Sequence, residues 1–278
     1  MTPKLAFAQL SEKLSSIYPN REASTIARYV LEDIFKAKWP FEQTPTINTE
    51  QYTAVLQRLL QKEPWQYIVG EADFYDLKYY VDKSVLIPRP ETEELVYWIS
   101  QNHKTKPPQS LLDIGTGSAC IPISLQKRFP TSEIWAVDKS LEALEVAKKN
   151  ATRHQTPIKF LELDILSKSN WQLLPKFDII ISNPPYITTS EKQLMQTNVL
   201  DYEPHMALFV TNNDPLQFYK IILDQARQHL NPEGWVYFEL NEHNGQDMVS
   251  LYKDYGYQNV ELEKDLSNRD RMIRGQFI

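Results

Sequence analysis

The chain has 278 residues, enough for two domains or for one large domain with an appendage. Lys and Arg number 30 against 36 Asp and Glu, and the formal charge of -6 gives no global field that would attract nucleic acid or an anionic membrane. A single cysteine, Cys120, excludes an internal disulfide, and the five histidines lack metal-ligand spacing, so neither zinc nor a disulfide-linked fold is indicated.

The N-terminal sequence MTPKLAFAQLSEKL lacks the apolar core of a signal peptide, and no uninterrupted apolar run is long enough to span a bilayer. We therefore expect a soluble protein that resides in the cytoplasm.

Helical periodicity dominates roughly the first 70 residues. In EASTIARYVLEDIF and TEQYTAVLQRLLQ the apolar residues recur every three or four positions, and Asn48 is placed to cap the second helix through Gln51. We expect residues 1–70 to form a small all-helical domain with a docking role.

The stretch DFYDLKYYVDKSVLIP is aromatic, β-branched and extended, which is typical of a β-hairpin. We expect residues 71–90 to form a hairpin that links two domains. Helical spacing resumes in PRPETEELVYWIS, at the start of the segment 91–278.

After Ser110, short apolar runs that end in a polar residue alternate with helical segments. The runs LLDIGTG, EIWAVD, IKFLELD and FDIIISN are the clearest examples, and GWVYFEL, VELEKD and DRMIRGQFI follow. Repeated strand–helix–strand units predict a doubly wound, mostly parallel sheet.

The first of these strands runs into a glycine-containing turn. Gly115 and Gly117 let the main chain turn tightly and let a ligand approach it, and the next helix offers free N–H groups. The turn departs from G-x-G-x-x-G because Cys120 stands in the third glycine position. Strand–helix turns also use glycine for purely steric reasons, so this motif alone leaves ligand binding open.

Acidic residues end the next two strands. Asp138 follows Gly117 by 21 residues, an offset at which a carboxylate accepts hydrogen bonds from the ribose hydroxyls of a nucleoside cofactor. Asp164 is placed to reach an adenine amino group. Either residue is equally understandable as an ordinary turn or cap residue, but Asp138 together with the glycine turn favours a nucleoside-binding α/β domain.

The fourth strand ends in Asn183, Pro184, Pro185 and Tyr186. Since ligands of an open parallel sheet collect where the first strand lies beside the fourth, this segment and the glycine turn should face the same crevice. The Asn183 side chain and the Pro184 carbonyl oxygen offer two acceptors for the two hydrogens of an –NH₂ group, and the Tyr186 ring can stack on a planar amide or a base.

These motifs, with EPWQYIVGEADFYDLKYYVDKSVLIPRPETEELV, VDKSLEALEVAKKNA, YEPHMAL and DLSNRDRMI, resemble the HemK/PrmC family over nearly the whole chain. The resemblance implies a class I methyltransferase-like, seven-stranded sheet with a helical N-terminal domain that docks the substrate. It also implies an S-adenosylmethionine-dependent enzyme that methylates the side-chain amide of the Gly-Gly-Gln glutamine of class 1 peptide chain release factors. We expect a monomer that does not bind nucleic acid directly.

Transferred to this sequence, the resemblance assigns catalysis to Asn183, Pro184, Pro185 and Tyr186. The cofactor-binding residues would be Gly115, Thr116, Gly117, Ser118, Ala119, Asp138, Asp164, Asn183, Arg89 and Glu91. Arg89 and Glu91 would line the methionine end of the cofactor or close the site. A structural ion pair at the domain junction explains these two residues equally well.

The sequence departs from the family pattern at Ala119 and Asn268, where the family usually has glycine. Alanine allows a close approach to the backbone as long as its φ stays negative, so we expect adjusted cofactor contacts and not lost binding.

Two other functions remain open at this point. A DNA or RNA amino-methyltransferase uses the same N-P-P-Y chemistry on adenine or cytosine, although the charge gives no basic stripe. A non-catalytic cofactor-binding adaptor is the second, suggested only by Ala119. A nicotinamide dehydrogenase would leave the N-P-P-Y segment unexplained.

Overall fold

Helices and strands are described in a computed structural model that covers residues 1–41, 46–195 and 197–278. The helices are α1 (Pro3–Leu14), α2 (Asn20–Asp33), α3 (Thr49–Leu60), α4 (Trp65–Val69), α5 (Pro90–Asn102), α6 (Cys120–Arg128), α7 (Leu141–His154), α8 (Thr197–Tyr202), α9 (His205–Leu208), α10 (Gln217–His229) and α11 (Gly245–Asp254). Short 3₁₀ turns span Lys168–Leu173 and Glu191–Leu194. The strands are β1 (Glu71–Phe74), β2 (Leu77–Tyr80), β3 (Ser110–Ile114), β4 (Glu133–Asp138), β5 (Lys159–Glu162), β6 (Phe177–Ser182), β7 (Ile187–Thr188), β8 (Phe209–Val210), β9 (Leu230–Glu239), β10 (Gln258–Lys264) and β11 (Asp270–Gln276).

The chain divides into two units. One consists of Met1–Glu71 with Met195–Tyr202, and the other of Ala72–Leu194 with Glu203–Ile278. The sequence predicted no return of the chain to the helical unit at Met195–Tyr202. No helix within the described ranges is long and apolar enough to cross a membrane.

The helical unit is built from amphipathic helices. The predicted stripe of α2 is buried from Ala23 to Leu31, and it packs in one cluster with apolar side chains of α1 and α3. Asn48 caps α3 as predicted, because its side chain accepts a hydrogen bond from the Gln51 N–H at 3.0 Å. Inside this unit the Tyr202 hydroxyl donates to the Gln61 carbonyl oxygen at 2.9 Å, which ties α8 to the end of α3.

The second unit contains a seven-stranded sheet with the order β10-β11-β9-β6-β3-β4-β5. Strand β11 pairs antiparallel with both of its neighbours, and the other pairings are parallel. The predicted mostly parallel sheet and the predicted pairing of the first strand with the fourth, here β3 with β6, are confirmed. The order of strands reverses between them, so the crevice of the sheet lies at their carboxyl ends.

Both faces of this sheet are covered, which explains why its strands are nearly continuous apolar runs. Ile179 and Ile181 of β6 pack in a cluster with α5, α6 and α7, whereas Ile180 packs in a cluster with α10 and α11. Side chains alternate between the two clusters because successive residues of a strand point to opposite faces.

The hairpin of β1 and β2 turns at Tyr75 and Asp76, whose φ values of 50° and 61° are both positive. Two positive φ values are the signature of the tight turn that matches the twist of the paired strands. Phe74 and Tyr79 from the hairpin belong to the cluster that contains α5 and α6. The hairpin is therefore packed into the core beside the glycine-containing turn.

Candidate active site at the carboxyl edge of the sheet

The glycine turn, residues 115–119, leaves β3 with left-handed backbone at its two glycines. The φ values are +73° at Gly115 and +51° at Gly117, and a Cβ added at either would meet no atom within 4 Å. Glycine is therefore needed here for its backbone conformation, and the space in front of the main chain is open. The N-terminus of α6 follows directly, and its N-cap residue, Ala119, forms no side-chain cap hydrogen bond.

The expectation that Ala119 keeps a negative φ is wrong. Its φ is 63° and its ψ is 26°, so an alanine occupies the left-handed region at the N-cap of α6. The chain reverses sharply there, with the Ala119 N–H bonded to the Thr116 carbonyl oxygen at 2.8 Å. The other departure from the family pattern, Asn268, also has a φ of 63°, in the exposed turn before β11, where asparagine is among the best-tolerated non-glycine residues.

Asp138 ends β4 and holds the glycine turn in place. One carboxylate oxygen accepts the Gly117 N–H and the other accepts the Ser140 N–H, both at 2.9 Å. Burial raises the pKa of Asp138, although these backbone hydrogen bonds favour its charged form. The Lys139 N–H also acts on this carboxylate, whose four lone pairs still leave acceptor capacity for a hydroxyl group.

Asp164 follows β5 and pairs with Lys139 at 2.7 Å. Burial works to raise its pKa, but hydrogen bonds from Lys139 and from the Leu166 N–H outweigh burial and lower it. Asp164 is thus ionised and faces the same crevice as Asp138. No sequence pattern had indicated the ion pair with Lys139.

Asn150 of α7, which the sequence analysis did not single out, joins two parts of the site. Its fully buried side chain accepts the Tyr80 N–H at 2.7 Å and donates to the carbonyl oxygens of Tyr80 and Ser118, both at 2.9 Å. The hairpin and the glycine turn are therefore connected through one amide. No local pattern in AKKNA predicts this contact, because both partners are distant in sequence.

The proline tip, residues 183–186, connects β6 to β7. Just before it, the Ser182 hydroxyl donates to the Ile114 carbonyl oxygen at 2.8 Å, which joins the ends of β6 and β3. The Asn183 Nδ2 donates to the Thr92 hydroxyl at 3.3 Å. Among the described residues, none donates a hydrogen bond to Asn183 Oδ1 or to the Pro184 carbonyl oxygen, so both acceptors remain available.

Two residues that the sequence analysis missed, Thr92 and Glu239, lie behind the proline tip. The Thr92 hydroxyl donates to Glu239 Oε2 at 2.7 Å, and the Tyr186 hydroxyl donates to Glu239 Oε1 at 3.4 Å. Burial raises the pKa of Glu239 to about 7, while Thr92 and Arg271 favour its charged form. The available signal was the Glu in GWVYFEL, because β9 ends at Glu239 and so places a polar residue at the functional edge of the sheet.

Arg89 pairs with Glu203 at 2.5 Å, and Glu203 also accepts the Ile87 N–H at 3.2 Å. The Glu203 side chain is almost fully buried, so loss of Arg89 would leave a buried charge without its partner. Arg89 therefore has a structural role in addition to its place beside the crevice.

Two further buried groups lie near the glycine turn. Burial raises the pKa of Asp113 to about 7 and that of the Cys120 thiol to about 12, so Cys120 is a small buried residue and not a nucleophile. No described residue forms a hydrogen bond of normal geometry with the Asp113 carboxylate or with the Thr116 hydroxyl.

A cavity of about 210 Å³ brings most of the predicted site residues together. The predicted residues that line it are Arg89, Gly115, Thr116, Gly117, Ser118, Asp138, Asp164, Asn183, Pro184 and Pro185. Among the described residues, Glu91, Ala119 and Tyr186 are not part of the lining. Glu91 lies in the first turn of α5, where its neighbour Thr92 reaches the cavity instead.

The residues present fit a nucleoside cofactor. A Cβ added at Gly115 or Gly117 would meet no protein atom within 4 Å, and Thr116 and Ser118 line the cavity beside these glycines. The two strand-end carboxylates supply the acceptors that ribose and adenine require.

Comparison with known proteins decides the family. The methyltransferase small domain family matches residues 93–204. The release factor glutamine methyltransferase of Flavobacterium psychrophilum is 42% identical over 97% of both chains, and that of Bacteroides thetaiotaomicron is 39% identical over 96% of this chain and 97% of its own. The chain belongs to the release factor glutamine methyltransferase family.

Among solved structures, the hMettl16 catalytic domain in complex with the MAT2A 3′UTR hairpin 6 has a TM-score of 0.58. At 14% identity, over 90% of this chain and 92% of that one, it shares the fold with this family member. As a member of the release factor glutamine methyltransferase family the protein is a methyltransferase that uses S-adenosylmethionine, and the resemblance stated from its motifs is confirmed.

Proposed function

We propose that this protein methylates the side-chain amide nitrogen of the glutamine in the Gly-Gly-Gln motif of class 1 peptide chain release factors. The observation that carries the proposal is the pair of available acceptors, Asn183 Oδ1 and the Pro184 carbonyl oxygen, beside a cofactor-sized crevice. Relatives that are 42% and 39% identical over nearly their full length carry the corresponding name.

S-adenosylmethionine, when bound, supplies an activated methyl group. Gly115 and Gly117 would leave the main chain accessible to it, Asp138 would accept from its ribose and Asp164 from its adenine amino group. Lys139 must release one oxygen of Asp164 for that contact, or share it, because the two groups are 2.7 Å apart. Arg89, held by Glu203, is placed to line the same cavity.

The proline tip would hold the substrate amide. A carboxamide nitrogen is a poor nucleophile because its lone pair is delocalised into the carbonyl group. With both of its hydrogens bonded to Asn183 Oδ1 and the Pro184 carbonyl oxygen, the nitrogen is oriented before reaction, and the positive charge that develops on it is stabilised. Orientation of this kind contributes up to about 7–11 kcal/mol in the most favourable intramolecular cases.

The nitrogen needs no strong base before it reacts, since its proton becomes acidic only as the new bond forms. The two acceptor oxygens already contact its hydrogens and would pass the released proton to solvent. Tyr186 would stack on the planar amide, and its hydroxyl contact with Glu239 fixes the position of the ring.

In the decisive experiment, the purified protein and S-adenosylmethionine are incubated separately with four substrates. These are a class 1 release factor, the same factor carrying Gln→Ala in its Gly-Gly-Gln motif, a DNA oligonucleotide and an RNA oligonucleotide. We expect one methyl group on the Gly-Gly-Gln glutamine, located by peptide mass spectrometry, and none on the other three substrates. Methyl transfer to an oligonucleotide alone would replace the proposal with a nucleic-acid methyltransferase, and none to any substrate would favour the cofactor-binding adaptor.

The release factor is the one partner proposed, and the cytoplasm, where it works with the ribosome, is the proposed location. The formal charge of -6 supports a protein substrate over nucleic acid. The expected monomer stays a prediction, which sedimentation of the purified protein measures.

A further inference from the structure

A chain of hydrogen bonds runs from the proline tip into the protein interior. Asn183 Nδ2 donates to the Thr92 hydroxyl at 3.3 Å, and that hydroxyl donates to Glu239 Oε2 at 2.7 Å. The three residues come from the end of β6, the first turn of α5 and the end of β9. The chain therefore connects an exposed side of the site to a carboxylate buried behind it.

Donor and acceptor capacities fix the direction of these bonds. Above the pKa of about 7 the Glu239 carboxylate is ionised and only accepts, so the single proton of the Thr92 hydroxyl goes to Glu239. Thr92 is then left with lone pairs alone, and the group of Asn183 that faces it must be the –NH₂. Rotating the Asn183 amide by half a turn would place two acceptors against each other without a hydrogen.

Burial makes this restriction strong. Thr92 is 3% exposed and Glu239 is 1% exposed, so water has little access to either group. An unsatisfied polar group in such surroundings disfavours the rotated amide by a factor of about five to a hundred.

Several groups face Glu239 and influence its charge. Arg271 of β11 and the hydroxyls of Thr92 and Tyr186 favour the ionised form, whereas burial and Glu91 of α5 oppose it. The same carboxylate acts on Tyr219 of α10 and on Cys120 of α6 by repelling their ionised forms. Their pKa values are both raised by burial, which keeps these two groups neutral near Glu239 at neutral pH.

We propose that Thr92 and Glu239 are positioning residues that hold the Asn183 amide with Oδ1 toward the cavity, and so select the nitrogen end of the substrate amide over its oxygen end. This inference rests on the proposed function for the identity of the substrate. An amide offers two N–H donors at one end and only an acceptor at the other. A fixed Oδ1 accepts from the nitrogen end and repels the oxygen end, whereas a freely rotating Asn183 would accommodate both.

The first test compares Thr92→Val with Thr92→Ser. Valine keeps the shape of threonine but lacks the hydroxyl, and serine restores the hydroxyl. We expect Thr92→Val to lower kcat for release factor methylation about five- to a hundredfold, with KM and the Kd for S-adenosylmethionine changed less than about threefold. Thr92→Ser should stay within about threefold of the unchanged protein in all three. A Thr92→Val protein with unchanged kcat would overturn the proposal.

The second test needs no release factor. In full-length protein with ¹⁵N-labelled asparagine, the Asn183 side-chain signal, identified by its loss in Asn183→Ala, should move with pH as Glu239 titrates near pH 7. The movement should vanish in Glu239→Gln and in Thr92→Val, and persist in Asp113→Asn, because Asp113 titrates in the same range but lies outside the hydrogen-bond chain.

These two tests separate the possible failures. If the protein without substitutions methylates no release factor, the proposed function is wrong. The NMR titration still tests the hydrogen-bond chain in that case, because it needs no substrate. Persistence of the Asn183 titration in Glu239→Gln overturns the positioning role whatever the substrate is. If Thr92→Val does not fold, Glu239→Gln decides the matter alone.

Discussion

The glycine turn and the proline tip leave neighbouring strands of one sheet, yet their shapes have different physical origins. The glycine turn takes its shape from left-handed backbone at Gly115, Gly117 and Ala119. The proline tip is stiff because its two prolines restrict the backbone, and its Asn183 side chain is oriented by Thr92 from another element. In the proposed function one loop presents its backbone to the cofactor, and the other presents acceptor atoms to the substrate.

This difference predicts which substitutions each loop tolerates. A loop that contacts its ligand through backbone atoms tolerates a side chain that points away from the ligand. Ala119 is an example, because its methyl group is buried in the core. A loop that works through placed acceptors depends on the identity of the acceptor and on the groups that orient it. Substitutions in the two loops should therefore affect different measured quantities.

The largest expected effect is that of Asn183→Ala. Removal of one acceptor of the substrate amide should lower kcat by about a hundredfold or more, as loss of a single electrostatic contact to the reacting group typically does. The Kd for S-adenosylmethionine, measured by calorimetry, should change less than about threefold. Asn102→Ala, at the exposed end of α5, serves as the control and should change neither. Equal loss of cofactor binding and turnover in a folded Asn183→Ala protein would remove the distinction between the loops.

Gly117→Ala should act on the cofactor instead. The new methyl group would enter open space beside the cavity, and the φ of +51° would add about 1–2 kcal/mol of backbone strain. We expect the Kd for S-adenosylmethionine to rise about tenfold or more. Gly256→Ala is a matched control, because Gly256 also has a positive φ, +84°, and no atom within 4 Å, but lies in the turn before β10. Similar strain should lower the stability of both variants, and only Gly117→Ala should weaken cofactor binding.

The pH dependence of stability tests the buried carboxyls behind the two loops. Asp113 and Glu239 both have pKa values raised to about 7 by burial, from ordinary values of 3.8 and 4.5. The stabilisation that these protonated carboxyls give the folded state is fully present below their ordinary pKa values. It is lost as pH rises through 7, because the folded state then carries buried charges. His103 has the opposite effect, since burial lowers its pKa to about 4 from 6.5 and stability falls as pH drops between these values.

The effect of the two carboxyls on stability is therefore best measured between about pH 6.5 and pH 8, where both titrate in the folded state. We expect the free energy of unfolding in urea to fall by about 1 kcal/mol for each group over that range. Asp113→Asn and Glu239→Gln should each remove about half of the fall. A flat profile in the unchanged protein would show that neither carboxyl is protonated in the folded state at neutral pH.

The smallest effect is expected from Ala119→Gly. Relief of left-handed strain stabilises by about 1–2 kcal/mol, but loss of the buried methyl group costs about 0.8 kcal/mol and the extra freedom of glycine in the unfolded chain about 0.4–1 kcal/mol. These contributions nearly cancel, so thermal unfolding should shift by no more than about 4 °C. A stabilisation well above that would mean that Ala119 strains the turn more than its φ of 63° indicates.

Much of the architecture could be predicted because it depends on local pattern. The apolar runs that end in Gly115, Asp138 and Asn183 mark the strands and the edge where they end, and Asn48 marks a helix start through a contact three residues away. Such signals need only neighbouring residues. The family resemblance added the chemistry, because N-P-P-Y after a strand is a specific combination.

The rest could not be predicted for a physical reason that Thr92 and Glu239 illustrate. They are 147 residues apart, and their importance comes from a hydrogen bond that exists only after α5 and β9 are packed together. The same holds for Asn150 and Tyr80, 70 residues apart. The positive φ of Ala119 was also invisible, because alanine has no local preference for left-handed backbone and the tertiary structure imposes it.

The sequence by itself determined where the strands end, which polar groups stand at those ends and that the prolines stiffen one of them, since these properties belong to short segments of chain. The tertiary structure decided which groups touch, which carboxyls are buried with raised pKa values, and which way the Asn183 amide points. Burial and hydrogen-bond direction depend on neighbours that arrive from distant parts of the chain, and only the folded core brings them together.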